Sequence, residues 1–133
     1  KDAVLIEDLI VKPAHSIIRQ SFNSTERKVE AGLPPHLNGD GFGIGWYPPP
    51  PAADDAGPYE ACSAPRKAPL TPGLFTSVTP AWNNRNLSIL STTIRSATVF
   101  AHVRAANLGD LVTDLNCHPF RHSCFLFMHN GMV

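Results

Sequence analysis

Residues 38–47 read NGDGFGIGWY. Glycine stands at 39, 41, 43 and 45, alternating with Asp40, Phe42, Ile44 and Trp46. A period of two marks a β-strand, and glycine along one whole face of a strand implies that something large packs against that face. The glycines on either side of Asp40 also allow backbone conformations and close approaches that a Cβ forbids. Taken alone, Asn38-Gly39-Asp40-Gly41 reads as a turn entering the strand, with Asp40 bonded to local amides. It is not a dinucleotide-binding fingerprint, because the spacing and the following helix are missing.

On the N-terminal side, residues 3–11 mix β-branched and acidic side chains without clean alternation, and Pro13 interrupts them. Ser16–Phe22 suits a strand or a short helix, and 23–37 is a polar loop containing Pro34-Pro35. On the C-terminal side, residues 48–72 hold eight prolines in 25 residues, which predicts a long polyproline-like surface loop, an insertion rather than part of the core. Regular structure is expected again from Phe75. Residues 82–95 place Leu87, Leu90 and Ile94 at helical spacing, with Asn83 or Asn84 as cap. Residues 98–103 (TVFAHV) predict a strand, 107–116 a polar connection, and 123–128 (SCFLFM) a second buried strand stopped by His129-Asn130-Gly131. Helices are few, and the strands read as antiparallel rather than as βαβ units.

The chain has 133 residues and 14.4 kDa, enough for one small domain or part of a larger one. Eleven basic side chains balance eleven acidic ones, so the basic surplus of a nucleic-acid-binding module is absent. No apolar run approaches the ~20 residues of a membrane span, so neither nucleic acid nor membrane is an expected partner. Three cysteines, at 62, 117 and 124, make no disulfide framework, and residues 1–15 carry no signal-peptide pattern. A reducing, cytoplasmic setting is the expectation. The chain starts at Lys1, and its last strand runs into a tight turn near Val133, so truncation at both ends is expected.

Three constellations could carry chemistry. His102 and Arg104 fall on one face of the 98–103 strand and just beyond it. An arginine there needs an acceptor, either a structural partner (Asp40, Asp110 or Asp114) or a substrate carboxylate, which its planar fork grips at two points. Asn116-Cys117-His118-Pro119-Phe120 puts a thiol beside an imidazole, but neighbours in an extended chain point apart, and cysteine is commonly buried and inert. His118 and His122 would form a metal pair only on a helix, which Pro119 disfavours, and the other histidine spacings match no ligand pattern. His129-Asn130-Gly131 offers a side-chain amide followed by an unhindered backbone N–H. That is a plain turn or the donor pair of an oxyanion hole.

Each feature is weak alone. The order NGDGFGIGWY, PAWNNRNL, FAHVRAA, NCHPF, FMHNG resembles the class II glutamine amidotransferase domain of the N-terminal-nucleophile hydrolases. With HSIIRQ at 15–20, it is similar in particular to the amidotransferase subunit of the cytosolic glutathione-degrading complex. The resemblance implies an α+β fold, a four-layer α-β-β-α sandwich with antiparallel sheets, of which residues 1–133 are a partial domain. It implies an enzyme that cleaves a γ-glutamyl amide bond of glutamine, glutathione or another γ-glutamyl peptide through a cysteine thioester. No cofactor or metal is called for, and a peptidase subunit is the implied protein partner. In this family the nucleophile is an N-terminal cysteine whose own α-amine takes the proton; none of Cys62, Cys117 or Cys124 can fill that place. The acidic residue that meets the substrate amino group falls beyond Val133. By the resemblance Asn130 and Gly131 form the oxyanion hole, Arg104 binds the α-carboxylate, and Asn38, Gly39, Asp40 and His129 border the substrate. His102, Cys117 and His118 take supporting roles. The 133 residues alone are then expected to be inactive. The alternatives are a catalytically inactive partner subunit or a non-functional gene fragment.

Overall fold

The structure, a computed structural model, describes residues 2–24, 37–49 and 70–131. The glycine-rich stretch forms strand β2, Phe42–Trp46, between β3 (Gly73–Ser77) and β5 (Val99–Val103) in an antiparallel sheet of order β3-β2-β5. The register sets Phe42 beside Ser77 and Val103, Ile44 beside Phe75 and Ala101, and Trp46 beside Gly73 and Val99. Directly opposed residues share a face. One face of the sheet is therefore apolar, and the other carries Gly43 with His102 and Gly45 with Phe100.

Short helices cover the apolar face: α1 (Ile6–Ile10), α2 (Ile17–Phe22) and α3 (Arg85–Ser91). Ile6, Ile10 and Leu87 are buried with Phe42, Ile44 and Ala81, and Ile17, Ile18, Phe75 and Val103 pack around them. The segment left open between strand and helix, Ser16–Phe22, is helical because Ser16 accepts the Arg19 amide as its cap. Residues 3–11 divide into β1 (Val4–Leu5) and α1, and β1 pairs with β4 (Arg95–Ser96).

Three expectations need correction. The helix placed at 82–95 is shorter: Ala81–Asn83 is a 3-10 turn, Asn84 caps α3 by accepting the Leu87 amide, and the helix ends at Ser91. The Thr92 and Thr93 hydroxyls bond the carbonyls of Ile89 and Leu90, and these β-branched residues end the helix there. Ile94 then enters an extended segment, where its carbonyl accepts the Ile6 amide at 3.0 Å. The strand placed at 123–128 is also shorter and is not buried. It is β7, Phe125–Phe127, in a hairpin with β6, Phe120–His122, and the turn sits at Ser123 (φ 53°) rather than at Asn130-Gly131. Leu126 faces the sheet; Phe125 and Phe127 point the other way, 68% and 61% exposed. The 107–116 connection is likewise less polar than expected, with Leu108, Leu111, Val112 and Leu115 exposed along it.

This hairpin and the residues before it cross the glycine face. A Cβ on Gly43 would overlap the His118 carbonyl oxygen, and one on Gly45 would stand 2.8 Å from Leu126 Cδ1 and 2.9 Å from Pro119 Cγ. The large neighbour implied by the alternating glycines is this segment. Every strand pair is antiparallel, helices are few, and the described fold is α+β. Most of the proline-rich stretch (50–69), with Cys62, and residues 25–36 with Pro34-Pro35 lie outside the described residues. Among the described residues no helix is long and apolar enough to cross a membrane.

Because the neighbour at Gly43 is backbone, it has little room to yield. Gly43→Ala should lower stability by about 1–3 kcal/mol. Denaturant unfolding would show this as a lower midpoint at unchanged slope.

Candidate active site

The ladder between β2 and β5 continues one step past the sheet. Asp40 donates its amide to the Arg104 carbonyl (3.0 Å), and Arg104 donates its own to the Gly41 carbonyl (2.8 Å). The Asp40 carboxylate accepts the Ala106 amide at 2.8 Å, fixing the chain just beyond Arg104. Gly41 makes this corner possible: its φ is +117°, and a Cβ there would lie 2.6 Å from Cys117 Sγ. Asn38 is tied from the other side, donating its amide to the Ser21 carbonyl at the end of α2 (2.8 Å).

Arg104 has a side chain only 12% exposed. Its Nη1 donates to the Leu111 carbonyl at 3.3 Å, and its Nη2 lies 3.7 Å from Asp110 Oδ2. Of the three aspartates considered as structural partners, Asp110 is the one the loop brings to the guanidinium; Asp40 is engaged with Ala106 instead.

Two cavities, of about 900 and 450 Å³, meet here and share Asn38, His102, Val103, His129 and Asn130 on their walls. The larger also reaches Arg104, Asp110, His118 and Gly131. The fold thus gathers Asn38, Arg104, His129, Asn130 and Gly131 from separate segments around one space. Gly39 and Asp40 do not line it: Gly39 packs beneath Trp82, 3.0 Å from Cη2 to an ideal Cβ, and Asp40 holds Ala106. The sequence offers Asp110 as a structural partner of Arg104, and the structure also sets it on the cavity wall. The one sequence signal for it was its nearness to Arg104 along a single connection.

Three imidazoles converge on the cavities. His102 meets His118 edge to face, ring centroids 4.6 Å apart, and His118 meets Phe120 at 4.4 Å. His102 Nδ1, His118 Nδ1 and His129 Nε2 are buried without a hydrogen-bond partner among the described residues. Burial pushes the His102 imidazole below its ordinary value of 6.5. Repulsion from His118 acts in the same direction, as does Arg104 more weakly, while the His129 backbone opposes the shift. His102 is therefore neutral at pH 7. Cys117 is buried, with Sγ 3.5 Å from the Ser77 carbonyl and 3.6 Å from that of Thr113. Burial, then the nearby Asp114, raises its thiol above the ordinary range, so it is protonated and a poor nucleophile. His122 sits on a strand, not a helix, and no described cluster of three or more His, Cys, Asp or Glu side chains could hold a metal ion.

Residues 14–133 match the family model of the class-II glutamine amidotransferases. The chain is 43% identical over 133 residues to the probable glutamine amidotransferase DUG3 of Saccharomyces cerevisiae, a match that covers 100% of this chain and 32% of that protein. It is 27% identical over 128 residues to the gamma-glutamyl-hercynylcysteine sulfoxide hydrolase of Mycolicibacterium smegmatis, covering 96% of this chain and 46% of that protein. The enzyme of the same name from Mycobacterium tuberculosis is 26% identical over 130 residues, covering 98% and 45%. The chain spans less than half the length of each of these relatives.

The His102 shift has a consequence for stability. The unfolded chain takes up a proton near pH 6.5 and the folded chain only at lower pH, so the stability gained by keeping His102 neutral is full above 6.5 and declines as pH falls below it. In the complete protein, His102→Gln should narrow the gap between melting temperatures measured at pH 7.5 and pH 5.

Proposed function

The chain belongs to the class-II glutamine amidotransferases, and we propose that its complete protein hydrolyses a γ-glutamyl amide bond, of glutamine or of a γ-glutamyl peptide such as glutathione. The observation that carries this reading is Arg104. Its guanidinium is mostly buried, meets one carbonyl and one distant carboxylate among the described residues, and opens on the same 900 Å³ cavity as Asn130 and Gly131. A guanidinium offers five donors in a flat fork; one left this sparsely engaged in a cavity is suited to an anionic ligand.

In this reading Arg104 takes the α-carboxylate and directs the γ-carbonyl toward Asn130. A cysteine thiolate outside residues 1–133 attacks the carbonyl carbon, its proton passing to the α-amine of the same N-terminal residue, which titrates near ~8. Negative charge then develops on the carbonyl oxygen, where the Asn130 side-chain amide and the Gly131 N–H donate to it. Collapse expels the amine and leaves a thioester, which water hydrolyses to glutamate. Asn38 and His129 border the reacting group, and Asp40, through the Ala106 amide, holds the Arg104 corner in place. Gly39 keeps the entry to β2 close to Trp82.

The same reading makes residues 1–133 part of a four-layer α-β-β-α domain, with 48–72 as a surface loop. Helices on one face of the β3-β2-β5 sheet and the β6–β7 hairpin across the other support it. It places the protein in the cytoplasm beside a peptidase subunit that would process the released peptide. The balanced charge and the lack of a described membrane-crossing helix are compatible with that setting.

Kinetics of the complete protein on glutamine and glutathione test the reading. Arg104→Ala should lower kcat/KM on the order of 10²-fold, and equally poor turnover of a substrate lacking the α-carboxylate by both proteins would identify the lost contact. Asn130→Ala should lower kcat by about 10²–10³-fold with little change in KM. Unchanged hydrolysis in the Arg104 variant would refute the carboxylate role. Absence of any hydrolysis by the unsubstituted protein would favour an inactive partner subunit.

A further inference from the structure

Arg104 is occupied before any ligand arrives, and the way it is occupied is informative. Both acceptors it holds have a second donor. Asp110 Oδ2, 3.7 Å from Arg104 Nη2, also accepts the Asn107 amide at 3.0 Å. The Leu111 carbonyl, bonded to Arg104 Nη1, also accepts Asn116 Nδ2 at 3.1 Å. Releasing the guanidinium would therefore strand neither group, which removes the main penalty of breaking such contacts.

We propose that Asp110 is an affinity-setting residue of the site: a resident carboxylate that holds the place on Arg104 which the α-carboxylate of a γ-glutamyl substrate takes over. The inference rests on the role proposed for Arg104 above. Asp110 stands on the cavity wall with Arg104, so an incoming carboxylate reaches the cation in its company. The contact is too long for a good hydrogen bond. The two partners are also unequally solvated, the Asp110 side chain being 44% exposed and Arg104 12%. Water can take over the aspartate, whereas the arginine needs another anion. Loose ion pairs of this kind are worth little, so the exchange lowers ligand affinity without blocking it. While resident, Asp110 also masks the positive field that would otherwise draw other anions to Arg104.

The test is calorimetric titration of the complete protein at neutral pH and low salt with glutamate, the product of the proposed reaction, and with glutarate, which lacks the α-ammonium. Asp110→Asn keeps the side chain's shape and an oxygen for the Asn107 amide while removing the charge. Both ligands should bind the variant about two- to five-fold more tightly, and the gain should shrink at high salt. Unchanged or weaker binding of both would overturn the proposal, making Asp110 a structural support for Arg104. Weaker glutamate with tighter glutarate would also overturn it, assigning Asp110 to the substrate ammonium. Arg104→Ala separates the two levels. Loss of both ligands in that variant upholds the Arg104 reading whatever Asp110 does, whereas retained binding, or no binding by the unsubstituted protein, overturns both.

Discussion

The contact between the His118 carbonyl and Gly43 is the constraint from which the rest of the site follows. A sheet normally meets its neighbour across two layers of side chains, about 10 Å apart. At Gly43 there is no side chain on the sheet, and the approaching group is backbone. Because Gly43 pairs with His102 in register, a chain brought that close must set the His118 ring against the His102 ring. Pro119 and Leu126 then fill the space over Gly45, which aligns the hairpin along the strand. The residues that follow the hairpin, His129 to Gly131, reach the cavity wall beside the end of β5 and beside Asn38, far earlier in sequence. The glycines of β2 fix the separation of these elements, and the separation fixes the site.

Electrostatics reinforce that geometry. Arg104 is a mostly buried cation at the end of β5, costly unless an anion or several acceptors meet it. Two nearby histidines could have added to the cationic burden. Burial and mutual repulsion instead keep His102 neutral. Arg104, tempered by Asp110, stands as an anchored cation on the cavity wall. Such a cation beside the neutral His102 suits a carboxylate better than a phosphate, since phosphates are met by several cations or by a helix N-terminus. The unpartnered ring nitrogens of His102, His118 and His129 leave polar capacity around the cation.

Much of this arrangement was legible in the sequence, and the failures share a cause. Strict alternation at 39–46 specified β2 and its crowded face, because only glycine tolerates such an approach. The dense β-branched run gave β5, and Asn84 capped α3 because its side chain satisfies an otherwise free amide. The end of α3 was misread because Leu90 and Ile94 share a helical spacing that continues past Ser91, while two threonines between them turn the chain. The burial of 123–128 is not legible because apolar content says nothing about what covers it; one face meets the sheet through Leu126, and the other leaves Phe125 and Phe127 mostly exposed. Choosing among Asp40, Asp110 and Asp114 as neighbours of Arg104 was beyond composition and spacing. The choice depends on the Ala106 amide claiming Asp40 and on the path of the following loop. The order of the five motif blocks pointed to the amidotransferase family more directly than any periodicity did.

The described cysteines show what kind of site this segment builds. Nucleophilic sulfur needs a partly exposed thiol whose pKa is lowered by a nearby cation or a helix N-terminus. Cys117 lies near Arg104 in sequence, yet it is buried beneath Gly41, and burial with Asp114 outweighs the pull of the arginine. Its S–H is shared between the Ser77 and Thr113 carbonyls, the first of which ties the NCHPF segment to the end of β3. Cys124 sits at the hairpin turn, where its carbonyl accepts the Tyr47 hydroxyl. Neither sulfur lines either of the two cavities. The polar groups that do line them include the side-chain amides of Asn38 and Asn130, three imidazoles and the Arg104–Asp110 pair. The residues around the cavities are thus carried by segments held by the β2 contact, apart from the two described thiols.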